Sequence, residues 1–130
     1  MKFFFTLFLL LHGWVHIWYL LLAGNVVKYT PDMGWSGQSW LLSGWIGEST
    51  SRQVAFYLYL FTAILFTASG IGYSLGKAWY TNMMITSTVL SSVLIITFFD
   101  GRFNLLVQKG LVGLIINIAL LAWVLIAKYV

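Results

Sequence analysis

The chain reads as an all-α membrane protein, a four-transmembrane-helix up-down-up-down bundle with a tryptophan-rich first loop. Four long apolar stretches run over about 3–23, 54–75, 79–99 and 111–127, each near the roughly 20 residues a helix needs to cross ~30 Å of hydrocarbon. Of the 130 residues, 61% are hydrophobic and 8% charged, where a soluble domain carries about 25% charged residues. Glycine, proline and isolated charges separate the stretches. Four spans and their loops use up the length, so residues 1–130 form a single membrane domain, with any site among the helices or under the loops.

In the first stretch Phe3, Phe4, Phe5, Leu7 and Phe8 lead to His12, Gly13, Trp14 and His16, and Leu20 to Ala23 close it. The apolar run exceeds the roughly 7–15 residues of a signal-peptide core, and no small-residue cleavage site follows; it reads as a retained span. Gly24-Asn25 stops the helix. The first connection, about 24–53, is the longest. Pro31 disfavours helix at Thr30, and Gly34-Trp35-Ser36-Gly37 is echoed ten residues on by Gly44-Trp45-Ile46-Gly47. This run is too short to span. It reads as an interfacial or re-entrant cap, because tryptophan favours the headgroup level and irregular backbone at membrane depth is tolerated only against protein or a cavity.

Glu48-Ser49-Thr50-Ser51 offers N-caps to the second span. Tyr59, Thr62, Phe66, Ser69 and Tyr73 share one face of it by 3–4 spacing. Gly76-Lys77-Ala78 is a tight turn, which makes the second and third spans an antiparallel hairpin. In the third span Thr81, Thr88, Ser91 and Ser92 share a face, and small hydroxyl residues let membrane helices approach closely. Asp100-Gly101-Arg102-Phe103-Asn104 starts the last connection and Lys109-Gly110 ends it. Gly110, Gly113 and Asn117 then lie on one side of the fourth span as a packed seam.

The formal charge is +4, from Lys2, Lys28, Arg52, Lys77, Arg102, Lys109 and Lys128 against three acids. These cations stand singly near span ends, where they snorkel to headgroups. Nucleic-acid binding needs a clustered basic face, and the sequence shows none. With no cysteine, disulfides, thiol chemistry and Cys-ligated clusters are excluded. No phosphate loop, nucleophile elbow, metalloprotease motif or dinucleotide fingerprint occurs. Lys and Arg divide almost evenly between the two sides. The expected placement is a prokaryotic cytoplasmic membrane with both termini inside.

His12 and His16 carry the sharpest chemical signal. Four residues apart, they project from one helix face, and His12 lies ~15 Å along the helix from Lys2, near mid-bilayer. Ionisable groups at that depth face the bundle interior or a wet cavity. Tyr19 continues the stripe, Trp14 is expected to pack beside it, and Tyr59, Thr62 and Asn117 are candidate neighbours. Three readings stay open. The pair ligates a metal or haem, for which two histidines are too few without Asp100, Glu48 or a partner chain. It lines a cavity as a ligand-binding or proton-relay pair. Or it hydrogen-bonds Ser, Thr or Tyr across helices as structural glue. Glu48, Arg52, Asp100 and Arg102 form an expected polar entrance on the long-loop side, with Asp100 facing Arg102 or both standing in a surface turn.

Size, four spans and Leu10-Leu11-His12-Gly13 in the first of them resemble the DoxX-like group of small four-span membrane proteins. Phe99-Asp100-Gly101-Arg102-Phe103, with Lys109-Gly110-Leu111 and Asn117 after it, is similar to small bacterial and archaeal four-span proteins. The resemblance implies a four-helix bundle tied to quinone-linked redox complexes. The expected function is binding of a hydrophobic small molecule, a quinone or lipid, by an accessory or carrier subunit, with His12, His16, Tyr19 and Trp14 lining the cavity. The alternatives are a structural subunit of a larger complex or homo-oligomer, a small proton-coupled transporter, and an intramembrane metal- or haem-dependent enzyme.

Overall fold

The computed structural model describes residues 1–129, and among them every regular element is helical. In chain order they are α1 (Lys2–Ala23), a 3-10 turn (Pro31–Met33), the single turn α2 (Ser43–Ile46), α3 (Glu48–Ser74), α4 (Tyr80–Thr97) and α5 (Leu111–Tyr129). Helices α1, α3 and α4, of 22, 27 and 18 residues, are long and apolar enough to cross a membrane, and α5 carries a shorter apolar run, Leu111–Ala127. The second apolar stretch begins its helix earlier than expected, at Glu48 rather than 54, because a polar first turn is invisible to a hydropathy reading.

The four long helices alternate in direction. Arg52, near the start of α3, bonds the Leu22 carbonyl at the end of α1. Phe5, near the start of α1, meets Tyr73 of α3 at 4.8 Å and Trp123 of α5 at 4.6 Å between ring centroids. At the other end of the bundle, Gly110 and Gly113 lie against Ile95 of α4. Helices α1 and α3 approach closely at Gly13, where an added Cβ would fall 2.6 Å from the Cβ of Phe66. Missing side chains of this kind are how helix backbones come together where lipid gives no hydrophobic drive between them.

Polar backbone ends decide how the loops fold. An α-helix leaves its last four carbonyls without intrahelical partners, and each one kept from water needs another donor. At the end of α4 the first connection supplies them. The Trp40 indole N–H donates to the Ile96 carbonyl at 2.7 Å, and the Ser39 hydroxyl donates to that of Thr97. The Trp35 indole N–H donates to Phe98 and the Trp40 backbone N–H to Phe99, both at 2.7 Å. Trp35 is therefore a core residue, packed with Tyr19, Tyr59, Leu94 and Phe98, and takes no part in an aromatic belt. The tryptophan-rich segment folds over the end of the bundle as the sequence suggests, with the indoles acting as caps.

The end of α1 is closed differently. Asn25, at φ 54°, takes the left-handed position after the helix, and the Val26 N–H turns back to the Leu21 carbonyl at 3.0 Å. The Arg52 guanidinium donates to the Leu22 carbonyl at 3.1 Å and to Asn25 Oδ1 at 3.0 Å, and it also bonds the Ser36 carbonyl. Gly37 lies against this guanidinium at φ 81°, where a side chain has neither conformational freedom nor room.

The cations are not uniformly at the surface. Lys2, Lys28, Lys77 and Arg102 are exposed, Arg52 is half-buried and Lys109 is buried. For Lys109 the expected snorkelling is corrected, because an internal carboxylate holds it. The side chain of Lys128 lies outside the described residues.

Replacing Trp35 by Phe strips a buried carbonyl of its donor and should lower unfolding free energy by about 1–3 kcal/mol. Trp40→Phe should lower it less, since Trp40 is largely exposed and Ile96 also accepts from the Phe99 N–H. Denaturant titration in detergent micelles measures both, and a Trp35→Phe protein as stable as the parent would refute the capping role.

Candidate functional site

The buried face of α1 is set by 3–4 spacing: Leu9, His12, Gly13, His16, Tyr19, Leu22 and Ala23 all point inward. Both imidazoles are thus inside the bundle, and four side chains complete a hydrogen-bond circuit around them. His16 Nδ1 lies 3.1 Å from the His12 carbonyl oxygen. A carbonyl only accepts, so Nδ1 carries the proton, and in the neutral ring Nε2 is a lone pair. The Ser91 hydroxyl, 2.6 Å from that Nε2, therefore donates to it. Ser91 Oγ accepts from Asn117 Nδ2 at 2.8 Å. Asn117 Oδ1 in turn accepts from His12 Nε2 at 2.8 Å. With both rings neutral, the direction of every bond is fixed by its neighbour, and the set closes on residue 12. The circuit ties α1 to α4 and α5. Of the ring nitrogens only Nδ1 of His12 stands outside it; the His12 ring lies parallel to that of Phe8 with centroids 6.0 Å apart.

Aromatic rings of α3 close the remaining side. Phe66 lies 4.9 Å from His12 and 5.4 Å from His16 between centroids. Tyr59 stacks on Tyr19 at 5.3 Å and sits 6.1 Å from His16. The Tyr19 hydroxyl donates to the Gln108 carbonyl at 3.1 Å. Thr62 is buried but donates to Leu58 of its own helix at 2.8 Å; it contributes shape to the core and no bond to the histidines.

The structure brings together His12, His16, Tyr19, Tyr59, Thr62 and Asn117, all buried. Trp14 is corrected: it is 53% exposed on the opposite face of α1. It stands two residues from each histidine, and two residues turn a helix by ~200°. None of the five cavities at the surface of the bundle has a histidine in its wall; His12 and His16 lie buried among Phe8, Phe66, Tyr59, Ser91 and Asn117. As a metal pair they are committed elsewhere: both nitrogens of His16 and Nε2 of His12 are engaged in hydrogen bonds. Among the described residues no group of three His, Cys, Asp or Glu side chains is placed to hold an ion.

Ser91 is the site residue that sequence reasoning passed over. Four hydroxyls of α4 look alike, but Ser87 and Thr88 bond to Met84 and Ser92 bonds to Thr88, inside their own helix. Only assembly shows that Ser91 reaches across.

The expected polar entrance resolves into two separate pairs. Glu48 and Arg52, one helical turn apart, meet at 3.5 Å. Asp100 does not pair with Arg102. Its Oδ2 binds Lys109 at 2.9 Å, with Lys109 and Asp100 side chains 3% and 6% exposed. Arg102 contributes its backbone instead: its N–H donates to Asp100 Oδ1 at 2.9 Å, and its carbonyl accepts from Lys109 at 2.9 Å. Asn104 Oδ1 takes the third ammonium proton at 3.0 Å. All three Lys109 donors are used, which offsets the cost of removing two charges from water. Sequence spacing favoured the near neighbour; a loop that doubles back brought Lys109 instead.

No protein-family model, curated protein or solved structure matches this chain.

Nitrogen-15 NMR of the imidazoles should find His12 as the Nε2–H tautomer and His16 as the Nδ1–H tautomer. A protonated ring, or the opposite assignment, is incompatible with the circuit. Paired substitutions of His12 and Asn117 should show a coupling energy of about 0.6–1.7 kcal/mol; simple additivity would separate the two residues. Lys109→Met leaves Asp100 buried and alone, a loss of about 3–5 kcal/mol, and Lys109→Met with Asp100→Leu should restore most of it. Chemical unfolding of the single and double variants measures that recovery, and a double variant no better than the single one contradicts the pairing.

Proposed function

We propose that this chain is a four-span integral membrane protein that binds a hydrophobic small molecule of the lipid or quinone class, as an accessory or carrier subunit, and admits it from the side. A fourth crossing is supported by the antiparallel seat of α5 against α4 and by Leu111–Ala127, whose residues reach ~26 Å as helix, at the short end of spanning length. The DoxX-like reading agrees with a four-helix bundle bearing Leu10-Leu11-His12-Gly13, and the quinone association belongs to that reading.

One observation carries the binding function: the bundle has apolar grooves on its flanks. Between α1 and α3 a groove of about 380 Å³ is walled by Trp14, Ile17, Leu60, Ile64, Thr67 and Ile71. Another of about 210 Å³, near the capped end, is walled by Trp40, Ile95, Phe99, Leu106 and Leu114 with Lys109 beside them. Apolar walls with a few polar groups at one end suit an amphiphile. The histidines then serve to hold the walls in place.

A second reading, a structural subunit of a larger complex, draws on the capped end, where Trp45 is 88% and Phe103 81% exposed. Large apolar side chains left outside a fold mark contact with lipid or protein.

Native mass spectrometry of the full chain, released from its own membrane in mild detergent, tests both. The binding reading expects a retained amphiphile mass. It also expects His12→Leu with His16→Leu to lower stability. A bare chain under every gentle condition would overturn it, and stoichiometric protein partners without a small molecule would put the structural-subunit reading in its place.

A further inference from the structure

Two concave surfaces follow one another along the outer seam of α1 and α3. The upper one, about 430 Å³, lies at the capped end and is walled by Asn25, Ser49, Arg52, Gln53, Phe56 and Tyr57. The lower one is the groove walled by Trp14, Ile17, Leu60, Ile64, Thr67 and Ile71. On α3 the lining positions 49, 52, 53, 56, 57, 60, 63, 64, 67, 68 and 71 form one unbroken stripe at 3–4 spacing, which is one face of a helix. From α1 come positions 14 and 17, and the end of the helix at 23 and 24 follows further up the same seam. The seam therefore has a polar head and an apolar tail.

We propose that this seam is a site for one phospholipid, with its phosphodiester beside Arg52 and Gln53 and one acyl chain laid down the groove past Leu60 and Ile64. The proposal rests on the lateral-binding reading above and names the ligand class and place. Donors gather at the head. Arg52 spends its Nη1 protons on Leu22 and Asn25 and one Nη2 proton on Ser36, which leaves two of its five N–H groups, the Nε–H on the Glu48 side and one on Nη2. Its carboxylate partner, Glu48, is more than half exposed and 3.5 Å away, too far for a strong bond. Helix α3 starts here without a side-chain cap, so the unpaired N–H groups and positive end of a 27-residue helix face the same level. The side-chain amides of Gln53 and Asn25 add neutral donors.

Spacing fits the tail. Leu60 lies ~12 Å below Arg52 and Ile64 ~18 Å below, at the helical rise, and one leaflet of hydrocarbon is ~15 Å deep. A chain anchored at Arg52 thus ends about where Ile64 stands. Trp14, too deep for a headgroup belt and turned away from the histidines, gains a role as the wall of this channel.

Exposed positions test the site without touching the fold. The full chain is placed in nanodiscs of phosphatidylcholine, phosphatidylglycerol and ubiquinone, released in the mass spectrometer, and weighed with whatever remains bound. One phospholipid per chain is expected. Gln53→Glu sets a negative charge against the phosphate and should cut retention about five- to tenfold, while Gln53→Lys should raise it by a similar factor, as one charge at a helix start is worth ~1 kcal/mol. Leu60→Trp blocks the channel and should reduce retention for phosphatidylcholine and phosphatidylglycerol alike, with helical circular dichroism unchanged. Phospholipid retained equally by all three variants overturns the site but leaves lateral binding standing. The same holds if ubiquinone is retained and phospholipid is not. Loss of every amphiphile from the parent chain overturns both.

Discussion

The hydrogen-bond circuit of His12, Asn117, Ser91 and His16 ties three of the long helices, α1, α4 and α5, into one register. Three of the helices in this molecule are long and apolar enough to lie in a bilayer, and acyl chains offer a leucine surface as good an environment as another helix does. Association then rests on close backbone approach and on polar groups that find partners only in one arrangement. Gly13 against Phe66 gives the first between α1 and α3. The circuit gives the second between α1, α4 and α5. Because each donor in it is fixed by the acceptor next to it, rotation of any one helix breaks more than one bond.

The capped end obeys the same need to satisfy polar groups. Four successive carbonyls, 96–99, accept from residues 35–40. Arg52 closes the end of α1, and Lys109 spends all its protons inside its own loop. Tryptophan suits such a place because the indole brings a large apolar body and a single donor. The end is closed by these bonds, and concave surfaces lie on the flanks. The proposed ligand site accordingly sits at those seams rather than beside the histidines.

Much of this was legible in the residue order. Hydropathy gave four helices and a short hairpin at Gly76. The i, i+4 histidines with Tyr19 marked the inward stripe of α1, and the tryptophan-glycine segment marked a cap. Trp14 was legible as well: its angle to His12 alone places it on the far face. Asp100 and Lys109 were not legible, since a nine-residue separation inside an irregular loop has no period to follow. Ser91 was hidden among hydroxyls with the same chemistry.

Periodicity and apolar content settled which segments coil into helices and which side of α1 turns inward, because those properties depend on residues three and four apart. Partner choice and the grooved flanks belong to the assembled bundle. A hydroxyl bonds its own helix or a distant imidazole according to what the neighbouring helices bring within 3 Å or so, and that proximity is a property of four helices packed together.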